Sequence, residues 1–233
     1  MSRPRVAVLA PMTSELAPLR RPLALRPRGD GLFDGACGGY EIVASLAGVG
    51  TAAAARATER VLGAGPVERV FVVGVAGGIG AGSPVGALVV PERVLDVATG
   101  AVRRPTPAGD AAPRGLLATA DGILAPRAIA ELAARGAVAI DMETAAVGAA
   151  CEAHGVPWSV FRGISDSADD GKTDDAIFGL LGADGRPDLP AVARFLLAKP
   201  HRIPQLVRLG IGTRRAAAAA AAALLRALGG AVA

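Results

Sequence analysis

Two short stretches carry side chains able to do acid–base chemistry: Ile140-Asp141-Met142-Glu143-Thr144-Ala145 and Arg162-Gly163-Ile164-Ser165-Asp166. Glu143 follows an apolar run, Ala137 to Ile140, and opens an alanine-rich helical pattern. Asp166 follows the apolar run Trp158 to Phe161. Acids at the C-terminal ends of two neighbouring strands face one crevice, which is where open α/β sheets bind ligands. Glu15, a few residues past the first apolar run, is a third acid in an equivalent place. Each acid alone has a plainer reading as a helix N-cap. Their repetition favours a site.

The elements that must position these acids follow from periodicity. Val6 to Leu9 is a short β-branched run, expected as a central strand buried on both faces. A helix follows Pro11-Met12-Thr13-Ser14-Glu15, with Thr13 or Ser14 as its N-cap. Further strands are expected at Tyr40 to Leu46, Val67 to Val73, Ala87 to Val90, Leu116 to Ala120, Ala137 to Ile140 and Pro157 to Phe161. Between them, Ala52 to Leu62, Pro126 to Arg135 and Glu143 to His154 read as helices. Arg28 to Gly39 and Ala98 to Arg114 read as loops, and Gly74 to Gly80 as a glycine turn. Alternating strands and helices predict one α/β sheet covered on both faces.

Composition narrows the class. The chain has 233 residues, enough for one large domain, with 52% apolar and only 3% aromatic residues. Ala, Val and Leu must therefore build the core. The net charge of +4 is mild and its basic residues lack the interleaved aromatics that stack bases, so nucleic acid is not an expected partner. Cys37 and Cys151 cannot make a disulfide framework and suit a reducing, cytoplasmic setting. The apolar run before Pro11 is about five residues long, too short for a signal peptide, and nothing reaches the ~18 apolar residues of a span.

The last third differs in character. Asp188 to Ala198 and Ile203 to Ala233 read as helices, the second holding eight alanines, Ala216 to Ala223. Basic residues from Arg194 to Arg226 sit among Leu, Val, Phe and Ile. One reading is a helical extension packed on the sheet with solvated arginines. The other is a basic amphipathic surface for a membrane or a partner, at the inner membrane face.

Several motifs do not survive inspection. Gly78-Ile79-Gly80 needs a further glycine where Ser83 stands, so the dinucleotide fingerprint fails. Gly171-Lys172-Thr173 resembles the end of a phosphate loop, but Asp166 occupies the position of its first glycine. His154 and His201 are isolated, and neither metal-ligand spacing nor a Cys–His nucleophile can be assembled. No metal or cofactor is implied.

Three segments together resemble the nucleosidase branch of the nucleoside phosphorylase family. Val6 to Glu15 is similar to its opening strand and acidic turn, Val73-Gly74-Val75-Ala76-Gly77-Gly78 to its glycine turn, and Ile140 to Ala145 with Arg162 to Asp169 to its ribose and base motifs. The resemblance spans about residues 5 to 175 and implies a single-domain, three-layer αβα sandwich around a mixed, mostly parallel sheet. It also implies cleavage of the N-glycosidic bond of purine-type nucleosides and a homodimer. By resemblance Asp166 is the acid that protonates the leaving base, with Ser165 beside it. Glu143 holds the ribose hydroxyls, because a carboxylate accepts two hydrogen bonds at once. Met142 packs against the sugar, and Glu15 activates the attacking water. Val75, Ala76, Gly77, Ile123 and Leu124 line the base.

Family phosphorylases hold phosphate with an arginine in the first turn and an arginine and a serine around the glycine turn. Here those positions are Glu15, Val72 and Val75. A carboxylate repels a dianion and two valines donate nothing, so water is favoured as nucleophile. Arg20, Arg21 or an arginine of the 102–104 region remains an alternative source of phosphate contacts. Ile123 and Leu124 replace the aromatic with which many members stack the base. The apolar, basic tail is similar to that of the hopanoid-associated members, which implies an adenosyl group on a large triterpene lipid. Two alternatives remain: a nucleosidase for methylthioadenosine or adenosylhomocysteine, and a silent nucleoside-binding protein that kept the fold.

Overall fold

A computed structural model describes residues 3–167 and 189–229. Ala168-Asp169, Gly171-Lys172-Thr173, Asp188 and the last four alanine- and glycine-rich residues lie outside the described residues. The centre of the sheet is β1 (Arg5–Ala10), parallel to β4 (Tyr40–Leu46) on one side and to β5 (Arg69–Gly78) on the other. β1 alternates between two cores, as a strand covered on both faces must. Val6, Val8 and Ala10 pack with Leu16 and Leu19 of α1 (Thr13–Arg20), while Ala7 and Leu9 pack with Ala54, Ala57 and Val61 of α2 (Thr51–Gly63). α4 (Thr144–Ala153) lies beside α2 on the second face. α3 (Pro126–Ala134) covers a third, smaller cluster.

The long strand β5 carries the topology of the site. At its C-terminal end Gly77 pairs with Ile140 of β10 (Ala137–Asp141) on one side and with Asp166 of β11 (Trp158–Ser167) on the other. β10 and β11 are thus separated by β5 rather than directly paired, which corrects the expectation of two neighbouring strands. Their acid-bearing ends still meet at one stretch of β5. Beyond β10 the sheet continues through β9 (Leu116–Thr119), β7 (Arg93–Asp96) and β8 (Val102–Arg103), while β6 (Leu88–Val89) pairs with β11.

Three segments differ from expectation. The stretch expected as a loop over Arg28 to Gly39 is largely a hairpin, β2 (Arg26–Gly29) and β3 (Leu32–Cys37), at the sheet edge. Its turn, Gly29-Asp30-Gly31, runs through positive φ, a conformation Gly and Asp tolerate. Gly74 to Gly78 does not turn away but stays in β5, because its glycines admit neighbours that a side chain would exclude. Within the expected loop after Ala98, β8 pairs antiparallel with β7, which was itself unexpected.

The C-terminal helices are α5 (Leu189–Ala198), a 3-10 turn over Pro200–Arg202, and α6 (Ile203–Ala227). The alanine-rich half of α6 packs on β11 and β5, burying Ala216, Ala217, Ala220 and Leu224. Small side chains allow the close approach: a Cβ on Gly163 of β11 would stand 2.0 Å from the Ala216 carbonyl oxygen. Backbone on both sides leaves no flexible group to yield. Gly163→Ala should therefore destabilise the protein by at least about 1–3 kcal/mol, read as a lower unfolding midpoint in denaturant. An unchanged midpoint would mean that α6 is not seated on the sheet as described.

Candidate functional site

The site is built around a buried cation. Arg162 ends the apolar part of β11 with no side-chain exposure at all, where an unpaired charge would be costly. Its Nη2 lies 2.6 Å from Asp141 Oδ2 and donates to Glu143 Oε2 at 3.4 Å and to Thr144 Oγ1 at 3.0 Å. Asp141 in turn accepts from the Thr119 hydroxyl at 2.7 Å and from the Thr144 hydroxyl and amide. β9, β10, α4 and β11 are thereby tied at one point. Neither Arg162 nor Asp141 was singled out from sequence. Their signal was there: an arginine closing a buried run demands a carboxylate, and Asp141 is the acid beside Glu143.

Glu143 stands at the N-cap position of α4, yet its side chain makes no capping bond. It reaches across instead to accept the Gly50 amide at 3.1 Å. The N-cap reading therefore fails for Glu143. Glu15 does more than cap. Its Oε2 accepts the Met12 amide at 3.0 Å, as a residue in the first turn does, while Oε1 accepts the Val75 amide of β5 at 3.1 Å. Met12, rather than Thr13 or Ser14, holds the N-cap position of α1.

Gly74 shows how tightly Glu15 and Arg162 are placed. A Cβ built on it would lie 2.5 Å from Arg162 Nη1 and 3.0 Å from Glu15 Oε2. That Nη1 is buried and has no hydrogen-bond partner among the described residues. Buried donors are nearly always satisfied, so an orphan donor beside a carboxylate marks where a small polar group fits.

Asp166 is half-buried near the end of β11, with Ser165 Oγ donating at 2.5 Å to its Oδ1 or at 3.4 Å to the Ala76 carbonyl. Glu15 is held at Val75 and Asp166 pairs with Gly77. These anchors are two positions apart along β5, roughly 7 Å, the scale of a nucleoside. Val75, Gly77 and Met142 are half-buried around this stretch, whereas the Ala76 side chain is in the core. Ile123 is 41% exposed, while Leu124 packs against the cluster containing Ile129 and Leu132. The loop bearing them is pinned by Asp121, whose Oδ1 accepts the Thr51 hydroxyl at 2.7 Å and its amide at 3.1 Å. The N-terminal amides of α2 at Gly50 and Thr51 are thus both taken by carboxylates.

Three carboxyls surround one guanidinium. Burial alone would lower the Arg162 pKa, but Asp141, Glu143 and Glu15 outweigh it and hold the group charged. Burial pushes Glu15 up to about 7, against the pull of Arg162 and two amides. Glu143 is raised as well, by burial first and then by its acidic neighbours, with Arg162 opposing. The cluster therefore carries a proton near neutrality. Arg20, at the end of α1, lies over the Phe33 ring, 5.7 Å from its centroid, and Arg103 pairs with Glu152. Neither is bound to the cluster.

The sequence matches the Phosphorylase superfamily over residues 5–113 and 107–198. No curated protein is significantly similar in sequence. Among solved structures, the methylthioadenosine/S-adenosylhomocysteine nucleosidase of Colwellia psychrerythraea, in complex with adenine, aligns with a TM-score of 0.72 at 22% identity, covering 97% of this chain and 95% of that one. That of Neisseria meningitidis, with methylthio-immucillin-A, aligns at 0.72 and 22% over 95% and 97%. Futalosine hydrolase of Helicobacter pylori aligns at 0.69 and 17% over 95% of each chain. The αβα sandwich around a mixed sheet is the fold they share.

The raised Glu15 pKa has a consequence for stability. Between the unfolded value of 4.5 and the folded value of about 7, the native state binds more protons than the unfolded state. Stability then falls as pH rises through that window, by on the order of a few kcal/mol for a fully buried group. Thermal unfolding of the parent should show a midpoint declining from pH 5 to pH 7, and Glu15→Gln should make the decline shallower, Glu143 supplying the remainder. A parent midpoint that climbs across the window would contradict the burial of this carboxyl.

Proposed function

Since the chain belongs to the phosphorylase superfamily, we propose that it cleaves the N-glycosidic bond of an adenosyl-type purine nucleoside, using water. The observation that carries the choice of water is the charge of the cluster. Glu15, Asp141 and Glu143 surround a single guanidinium, and the amides that open α2 are already engaged by Glu143 and Asp121. A phosphate dianion needs surplus donors; this cluster offers surplus acceptors. Water needs one acceptor and one donor, which Glu15 and Arg162 Nη1 supply side by side.

The reaction then runs with balanced charge. Glu15 takes a proton from water as the water oxygen bonds to the ribose C1′ and the bond from C1′ to the base nitrogen breaks. The base leaves with the electron pair and receives a proton from Asp166, held by Ser165. Glu143 binds the ribose hydroxyls, Met142 packs on the sugar, and Val75, Gly77 and Ile123 face the base, while Ala76 and Leu124 support that wall from the core. Protonating the leaving base and activating the water are each general acid–base contributions of ~10² to 10⁴ in rate.

The 5′ substituent we assign is large and apolar, as in adenosylhopane, with cleavage serving hopanoid biosynthesis. The exposed apolar residues of the C-terminal helices support this reading, as does the aliphatic Ile123 where a stacking ring would suit a compact nucleoside. A cytoplasmic homodimer with peripheral membrane contact is the assembly that goes with it. The second reading, a nucleosidase for methylthioadenosine or adenosylhomocysteine, is favoured by the two neighbours of that activity.

Purified protein should release adenine at the same rate with and without phosphate and yield a free sugar, not a sugar 1-phosphate. Asp166→Asn should lower kcat by several orders of magnitude, and Glu15→Gln by ~10² to 10⁴. A rate that follows phosphate concentration would replace hydrolysis by phosphorolysis, and an Asp166→Asn enzyme as fast as its parent would remove the proposed acid. Release from methylthioadenosine or adenosylhomocysteine but not adenosylhopane would select the second reading.

A further inference from the structure

The N-terminal half of α6 presents an unusual outer face. Ile203, Val207 and Ile211, spaced four residues apart, are 44%, 54% and 47% exposed. They occupy one side of the helix, since residues four apart stack along it. Pro204, Arg208, Arg214 and Arg215 are exposed on the same half of the circumference. Nearby, Lys199 and Arg202 both lie 5.5 Å from the centre of the Phe195 ring.

Charge distribution points to what this face meets. No Asp or Glu occurs between Leu189 and Ala233, a stretch holding seven of the 25 basic residues. The rest of the chain carries 18 basic and 21 acidic residues. The tail is thus a basic segment attached to a slightly acidic body. An apolar stripe flanked by arginines, with no acid among them, is complementary to a bilayer whose headgroups are anionic. The stripe sinks into the acyl boundary while the arginines stay at the phosphates. A protein partner of ordinary composition gives no reason for the complete absence of acids.

The surface also adjoins the site. A Cβ on Gly212, the residue after Ile211, would stand 2.2 Å from the Ser165 carbonyl oxygen and 3.4 Å from Val85, itself 49% exposed. The helix thus backs onto the strand that carries Asp166 just where the stripe ends, with the stripe on its outer side. We propose that α6 docks this chain peripherally on an anionic membrane, placing the mouth of the site at the lipid surface. The use of such docking rests on the lipid-linked reading above; the surface itself does not, because none of its residues belongs to the catalytic cluster.

The test is co-sedimentation of the full chain with phosphatidylcholine vesicles, with or without phosphatidylglycerol, in the absence of nucleoside. Binding should require phosphatidylglycerol and weaken as salt is raised. Removing two exposed arginines with Arg214→Gln/Arg215→Gln should weaken it roughly thirtyfold, and Val207→Ser/Ile211→Ser at least about tenfold. Both variants should release adenine from a soluble nucleoside such as methylthioadenosine as the parent does, which shows that they fold. If parent and variants alike leave such a nucleoside intact, matching far-UV circular dichroism and unfolding midpoints show that the variants fold, and vesicle binding still decides the surface. Binding that ignores phosphatidylglycerol, or that survives both variants, would overturn the proposal. So would a shift from dimer to monomer on Val207→Ser/Ile211→Ser, which would make the stripe a contact between copies.

Discussion

The structure depends on how a guanidinium survives with no exposure. Arg162 sits at the joint of β11, β10 and α4, and a lone cation there would cost several kcal/mol in lost hydration. Asp141 compensates it directly and is itself held by Thr119 and Thr144. Once that pair is formed, Glu143 and Glu15 are surplus charge. Burial is the first cause of the raised pKa values of Glu15 and Glu143, and the single cation offsets it only in part. Glu15 and Glu143, raised in this way, have the poise that acid–base chemistry requires.

Close packing around this cluster explains the glycines of β5. A strand that passes between Glu15 and Arg162 has no room for a side chain at Gly74, and one that passes beneath Ser83 has none at Gly78. These glycines look like a turn when read along the chain, because glycine usually marks one. Here they mark close approach within a strand, the other reason for glycine. The error came from judging a local pattern without the groups that press on it. The edge hairpin was missed for a different reason. Its Asp30-Gly31 turn is a recognisable hairpin signal, but β2 is exposed throughout and shows no apolar alternation.

What was legible was the covered centre. β1, β4, α2 and α4 follow from apolar periodicity because both faces of the sheet are buried and the pattern has one solution. Glu15, Glu143 and Asp166 were found by their positions after strands, and the structure brings all three to residues 74–78 of β5 and the groups packed on them. Arg162 and Asp141 were read past, since their importance is a matter of burial and pairing. Leu124 sits in the cluster under α3 although Ile123, its neighbour, is exposed. A loop of six residues, 120–125, cannot be assigned inward and outward faces from spacing alone.

Gly50 and Thr51 link the parts. A helix N-terminus offers amides and a positive dipole end, a natural place for an anion. In this chain Glu143 takes one amide and Asp121 takes the other. Asp121 begins the loop that carries Ile123, and Glu143 is the acid assigned to the sugar. The start of α2 therefore fixes two walls of the cleft against each other, and the carboxylates that do so occupy two of the donors a phosphate would use. Positioning and the choice of nucleophile are, on this view, one electrostatic arrangement seen from two sides.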